Sequence, residues 1–208
     1  MSSETTDSRS EHWAKLWGRA DPTTVTWYQP HPTRQLELLT SLGSPDDHVL
    51  DVGGGASTLV DGLLEHGYRH LAVLDISAEA LEASRQRLGH RADHVEWIVG
   101  DVLEATRRGV DVWHDRAVFH FLIDMADRAR YVEVARVAVR PGRHAVIATF
   151  GPDGPEYCSG LPVHRYTPSE IAEAFADGFE LVDSGAEHQV SPTGVTQSFI
   201  DVVLRRTG

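Results

Sequence analysis

Along the chain, short runs of consecutive apolar residues alternate with stretches in which apolar residues recur every three or four positions. Residues 33–42 carry Leu36, Leu38 and Leu39 at helical spacing and are stopped by Gly43 and Pro45. From there strands are predicted at 48–52, 71–76, 95–99, 110–114 and 144–150. Helices are predicted at 56–65, 78–88 and 128–139, the last closed by Pro141-Gly142. Apolar strands alternating with helices call for a parallel sheet covered on both faces, the α/β class. The last third breaks that rhythm. A helix at 168–175 precedes strands at 179–184 and 199–204, joined through Ser191-Pro192-Thr193-Gly194. No helix fits between these strands, so they should pair as an antiparallel hairpin at one sheet edge.

Before the sheet begins, residues 1–10 are rich in Ser, Thr and acidic residues and are expected to form a disordered tail. Residues 11–18 predict a short helix with Trp13 and Trp17 on one side, because positions i and i+4 share a helical face. The turn-rich stretch 21–32 follows, with Trp27, Tyr28 and Gln29. Together, 11–32 reads as a lid on a single domain spanning 11–208.

Composition narrows the partners. A length of 208 residues suits one domain with a sizeable core, and the formal net charge of -12 repels phosphate backbones, so a nucleic-acid partner is not expected. One cysteine excludes an intrachain disulfide framework and a CxxC metal site; no metal centre is expected. The N-terminus lacks a signal-peptide pattern and no run has the length of a membrane span, so the expected setting is cytoplasmic, without a membrane partner. Nothing in the sequence fixes the oligomeric state.

The sharpest chemical signal is the run from Val49 through Asp51, Gly53, Gly54 and Gly55 to Ser57, a strand that turns through glycines into a helix. Glycine lets a backbone approach a ligand closely, and a helix start offers unpaired N–H groups. A dinucleotide fingerprint counted from Gly53 would need glycine at position 58, where Thr58 stands, and this weakens a nicotinamide-cofactor reading. Asp75 closes the second strand, with Ile76 beside it, placed to accept two ribose hydroxyls; Ser77 is the better helix cap. Gly100-Asp101-Val102 closes the third strand, where an adenine amino group would lie. Trp113-His114-Asp115-Arg116 closes the fourth. Ligands of open α/β sheets bind beyond the carboxyl ends of the strands, so the four signals converge on one rim.

On these residues the chain resembles class I S-adenosylmethionine-dependent methyltransferases: Asp51 with its glycines, Asp75, Gly100-Asp101, Asp115 and a terminal antiparallel hairpin, over about residues 11 to 206. The resemblance implies a Rossmann-like seven-stranded sheet, mostly parallel, with helices on both faces. It implies S-adenosylmethionine as cofactor, held by Asp51, Gly53, Gly54, Gly55, Ser57, Asp75, Ile76, Asp101, Val102 and Asp115. Ser57 departs from the family's third glycine. Trp13-Ala-Lys-Leu-Trp17 is similar to the tryptophan pair that opens thiopurine and halide/thiol methyltransferases, and implies that Trp13 and Trp17 help cover the cofactor. His12-Trp13, then Asp51, then Asp115-Arg116 with Phe119 also resembles elongation-factor lysine methyltransferases.

The implied reaction is in-line methyl transfer to a sulfur, oxygen or nitrogen atom of a small-molecule acceptor, with a protein lysine as the alternative acceptor. A hydroxyl or ammonium acceptor must lose a proton. The candidate base is His120, with a packing role as its alternative. Asp115 is the second candidate catalytic residue or half of an ion pair, and Tyr28 closes over the acceptor. Residues 154–166 form a glycine- and proline-rich loop at the same rim, offering Cys158, Arg165 and Tyr166 as acceptor contacts. Two further readings stay open: a non-catalytic cofactor-binding module and a nicotinamide-dependent oxidoreductase.

Overall fold

The structure, a computed structural model, describes residues 6–19, 21–191, 194 and 196–208. In chain order it comprises α1 (Thr6–Trp17), α2 (Thr33–Leu42), β1 (His48–Val52), α3 (Leu59–Glu65), β2 (His70–Asp75) and α4 (Ala78–Leu88). Then follow β3 (Val95–Val99), β4 (Val110–Arg116), α5 (Met125–Ala138) and β5 (Val139–Phe150). A two-stranded ribbon, β6 (Tyr157–Cys158) with β7 (Leu161–Pro162), precedes α6 (Pro168–Ala174), β8 (Phe179–Val190) and β9 (Thr196–Arg206). Seven strands form one sheet in the order β3-β2-β1-β4-β5-β9-β8. The first four pairings are parallel, and β9 is antiparallel to both β5 and β8.

Alternation along the strands builds two apolar layers, because successive side chains point to opposite faces. Leu50, Val52, Ala72, Leu74, Trp113, Ala145 and Ile147 face α5 and α6. Val49, Leu71, Val73, Val112 and Val146 face α2, α3 and α4. Helix starts are fixed by side-chain caps: Ser77 Oγ accepts from Ala80 N at 3.2 Å, Asp124 caps α5, and Thr167 with Glu170 forms a capping box on α6. Ser77, not Asp75, therefore caps α4, which leaves the Asp75 carboxylate at the strand tip.

Three differences from the sequence reading have physical causes. Helix α1 starts at Thr6, so residues 6–10 are helical where a disordered tail was expected; Arg9 pairs with Asp101 and Asp127 and anchors the helix. Residues 1–5 of that expected tail lie outside the described residues. β5 begins at Val139, and Pro141-Gly142 falls where the pairing with β4 skips from Val110↔Val139 to Val112↔His144. A bulge of that kind accommodates a residue with no N–H. β8 runs on to Val190 because it is the sheet edge; most of its residues face solvent, so no apolar alternation marks them. Of the connection between β8 and β9, positions 192, 193 and 195 lie outside the described residues.

Candidate active site

The parallel strands end at one rim, and a cleft opens there. At the tip of β1 the chain bends through Gly53 (φ 66°) and Gly55 (φ 35°), both in the left-handed region that favours glycine. A Cβ on Gly53 would lie 2.0 Å from Val118 Cγ2, and one on Gly54 would lie 2.4 Å from Asp51 Oδ2. The loop is a cradle with no space for side chains of its own. Ser84 Oγ donates to the Gly55 carbonyl at 2.7 Å and ties it to α4.

Behind the loop runs a buried polar chain. Asp51 Oδ1 is 2.7 Å from His114 Nδ1, and His114 Nε2 meets the side-chain amide of Gln35 at 3.1 Å. Gln35 comes from α2, one turn before the buried Leu39, so a helix face that otherwise packs apolar surface presents one amide to the cleft. At the tip of β2, Asp75 accepts backbone N–H bonds from Ser77 at 2.8 Å and from Gly55 and Ile76. Burial pushes its carboxyl up to about 7; those hydrogen bonds oppose the rise and the nearby Asp51 charge adds to it. At the tip of β3, Asp101 Oδ1 accepts from Leu103 N (2.9 Å) while Oδ2 pairs with Arg9 of α1 (2.9 Å). Arg9 also reaches Asp127 at 2.8 Å, so the lid helix is clasped to the rim beside the third strand.

The other end of the cleft is aromatic. Trp13 stands edge-on to Trp27 and to Phe121, with centroids 6.4 and 5.2 Å apart, and Trp17 stands edge-on to Trp27 at 6.1 Å. Arg116, from the tip of β4, closes this end over the face of Phe199 at 4.1 Å. One continuous cleft with an empty volume of about 1320 Å³, its open mouth included, links the glycine cradle to this aromatic end.

The structure brings most of the expected site residues together. Trp13, Trp17, Tyr28, Asp51, Gly53, Gly54, Gly55, Ser57, Asp75, Ile76, Asp101 and Val102 all line the cleft, as does Cys158. Burial pushes the Cys158 thiol up to about 11, so it stays neutral. Asp115 and His120, expected as catalytic residues, do not line it, and both assignments are corrected. Asp115 is fully buried beneath the turn after β4, where it accepts from Val118 N (2.8 Å), Phe119 N (3.0 Å) and Tyr131 Oη (2.5 Å). It shapes the bend that carries Ala117 at φ 72° and thereby positions Arg116 and Val118. His120 is fully buried against Phe121 and Phe150, and neither ring nitrogen has a hydrogen-bond partner among the described residues. Burial drives its pKa down to about 3, so this neutral, sequestered ring is not placed to take a proton from an acceptor. Arg165 and Tyr166 also stand off the cleft; Tyr166 stacks on Phe119 in the core.

Sequence reasoning missed Arg9, which lies in a polar stretch without apolar periodicity, and Gln35. The signal for Gln35 was a lone amide at helical spacing from Leu39.

Residues 50–144, which span β1 to the middle of β5, match a protein-family model described as a methyltransferase domain. Over that stretch the chain carries a methyltransferase domain. Among curated proteins, this methyltransferase domain is similar to the eEF1A lysine and N-terminal methyltransferase of Mus musculus, at 24% identity over 136 residues. Those cover 64% of this chain and 19% of the mouse protein, so the chain spans about a fifth of that relative's length. Among solved structures, a S-adenosylmethionine-dependent methyltransferase from Anabaena variabilis superposes with a TM-score of 0.76 at 17% identity, covering 95% of each chain. The 1,6-didemethyltoxoflavin-N1-methyltransferase of Burkholderia thailandensis, solved with bound 1,6-didemethyltoxoflavin and S-adenosylhomocysteine, superposes with a TM-score of 0.70 at 19% identity. It covers 100% of this chain and 93% of that one.

The residues fit the family's cofactor. The Gly53–Gly55 cradle, where a Cβ would collide, suits close approach of a ligand's backbone-sized chain; Asp75 suits ribose hydroxyls, and Asp101 marks the rim beyond it.

Proposed function

We propose that this methyltransferase domain transfers a methyl group to a sulfur, oxygen or nitrogen atom of a small-molecule acceptor. The observation that carries this reading is the covered cleft: α1 and residues 21–32 lie over the strand tips, and their tryptophans wall off the end opposite the nucleotide-binding carboxylates. When bound, S-adenosylmethionine supplies an electrophilic methyl on a sulfonium with a good leaving group. The chain's own work is then to orient the acceptor and to exclude water. Orientation of this kind supplies up to roughly 7–11 kcal/mol in ideal cases. The groups at the aromatic end are Tyr28, Arg116, the neutral Cys158 thiol and the indoles, which favours an acceptor already nucleophilic near neutral pH.

The likeness to the mouse lysine methyltransferase supports a second reading, a protein side chain as acceptor. Incubation with cell lysate and methyl-labelled cofactor separates the two. Label in the low-molecular-weight fraction supports the small-molecule reading, and label confined to protein overturns it.

A further inference from the structure

Among the described residues Arg116 forms no ion pair, and the Glu187 charge acts on it only from beyond ion-pair distance. Its guanidinium donates to the side-chain oxygen of Gln189 and, at 3.5 Å, to the Trp27 carbonyl, and it covers the Phe199 ring. All three are neutral. Among the described residues no carboxylate lies within ion-pair distance of it, and its Nε is buried with no hydrogen-bond partner. The nearest acid facing it is Glu187, which instead accepts from Gln29 Nε2 at 3.1 Å and keeps its second oxygen buried without a partner. Burial brings the Arg116 guanidinium down to about 10, which still leaves it charged at neutral pH. A desolvated charge left among neutral acceptors costs free energy that an incoming anion returns, and the planar guanidinium fork suits a carboxylate or similar oxyanion.

Around this cation the cleft offers flat apolar faces: Trp13, Trp27 and Phe121. We propose that Arg116 recognises an acidic group, a carboxylate or comparable oxyanion, on a flat aromatic methyl acceptor. This inference rests on the small-molecule reading above and gives it a substrate class. The cofactor's own carboxylate is the rival occupant. Position argues against it, since the guanidinium meets Gln189 of β8, Phe199 of β9 and the lid, whereas the glycine cradle and Asp75 lie at β1 and β2 on the opposite side of β4.

The test is calorimetric titration of the full chain, first with S-adenosylhomocysteine and then, at saturating S-adenosylhomocysteine, with matched probes. These are anthranilate against anthranilamide and 4-mercaptobenzoate against 4-mercaptobenzamide. The expected result is that each acid binds at least about tenfold more tightly than its amide, as a charge-assisted pair requires. Arg116→Gln should erase the preference and Arg116→Lys should retain part of it, with S-adenosylhomocysteine affinity within about twofold of the parent in both. Equal binding of acid and amide, or no binding of either pair, overturns the acidic-aromatic class while leaving the methyltransferase reading intact. A large loss of S-adenosylhomocysteine affinity in Arg116→Gln overturns it by assigning the guanidinium to the cofactor. Failure of the parent chain to bind S-adenosylhomocysteine would instead remove the reading on which the inference stands. The paired probes need only the unaltered protein, so a variant that does not fold leaves the comparison decisive.

Discussion

Replacing Asp75 with asparagine isolates charge from shape. In the parent chain the carboxyl sits at the cleft, held by backbone N–H groups of Ser77, Gly55 and Ile76 and pushed up to about 7 by burial. Two ribose hydroxyls donating to the ionised form are each worth about 1.5–3 kcal/mol, and an amide oxygen retains one neutral bond of about 1 kcal/mol. The expected loss is therefore roughly 2–5 kcal/mol, or about 30-fold to several-thousand-fold in affinity for S-adenosylhomocysteine. Because the ligand selects the ionised carboxyl, binding by the parent releases a proton, and affinity falls by up to about tenfold per pH unit below 7. The free protein shows the opposite linkage. Its carboxyl titrates near 7 when folded against an ordinary value of 3.8, so the stability from the retained proton is present below pH 4 and lost as pH rises through 7. Calorimetry at pH 6, 7 and 8, in two buffers of different ionisation enthalpy, reads both affinity and proton release. Parent affinity independent of pH, or Asp75→Asn binding as tightly as the parent, would refute the reasoning.

Three further substitutions probe the parts around it. Gly54→Ala requires no unusual backbone angle, but its Cβ would lie 2.4 Å from Asp51 Oδ2 and 2.7 Å from Val73 Cγ1. It should break the Asp51–His114 bond, costing about 1.5–3 kcal/mol in urea unfolding and most of the cofactor affinity; a variant matching the parent in both would show the cradle has slack. His120→Leu removes two buried nitrogens without partners, so the melting temperature should hold or rise and the pH profile of turnover should stay put. Loss of turnover in a folded His120→Leu protein would restore the ring to the mechanism. Tyr131→Phe strips the hydroxyl that accepts from Trp113 Nε1 at 2.9 Å and donates to Asp115, for an expected loss of about 1–3 kcal/mol. An unchanged urea midpoint would mean the Asp115 turn stands without it.

The sheet was legible because its central strands are buried on both faces and its helices carry ordinary stop signals; β1, β3, α2 and α4 fall where periodicity predicts. That the glycine bend and the strand-tip carboxylates gather at one cleft was legible for a local reason. Gly53 to Gly55, Asp75 and Asp101 each sit at a strand tip, where the position follows from the strand's own pattern. Other parts of the cleft were not, because their members meet only in three dimensions. Arg9 and Gln35 reach the cleft from segments that look like a polar tail and a helix surface. Asp115 and His120 are adjacent in sequence to the rim yet lie in the core, Asp115 on the α5 face of β4 beside Tyr131 and His120 against Phe121 and Phe150. Only packing decides that placement. The polar edge strand β8 was cut short for a similar reason: its pairing is set by β9 and leaves no mark in its own side chains.

The most direct measurement is a crystal structure of the full chain with S-adenosylhomocysteine. The ribose hydroxyls should lie within hydrogen-bond distance of Asp75, with the thioether sulfur turned toward Trp13, Trp27 and Arg116. A ligand bound away from the Gly53–Gly55 bend, or a sulfur facing away from the aromatic end, would contradict the account.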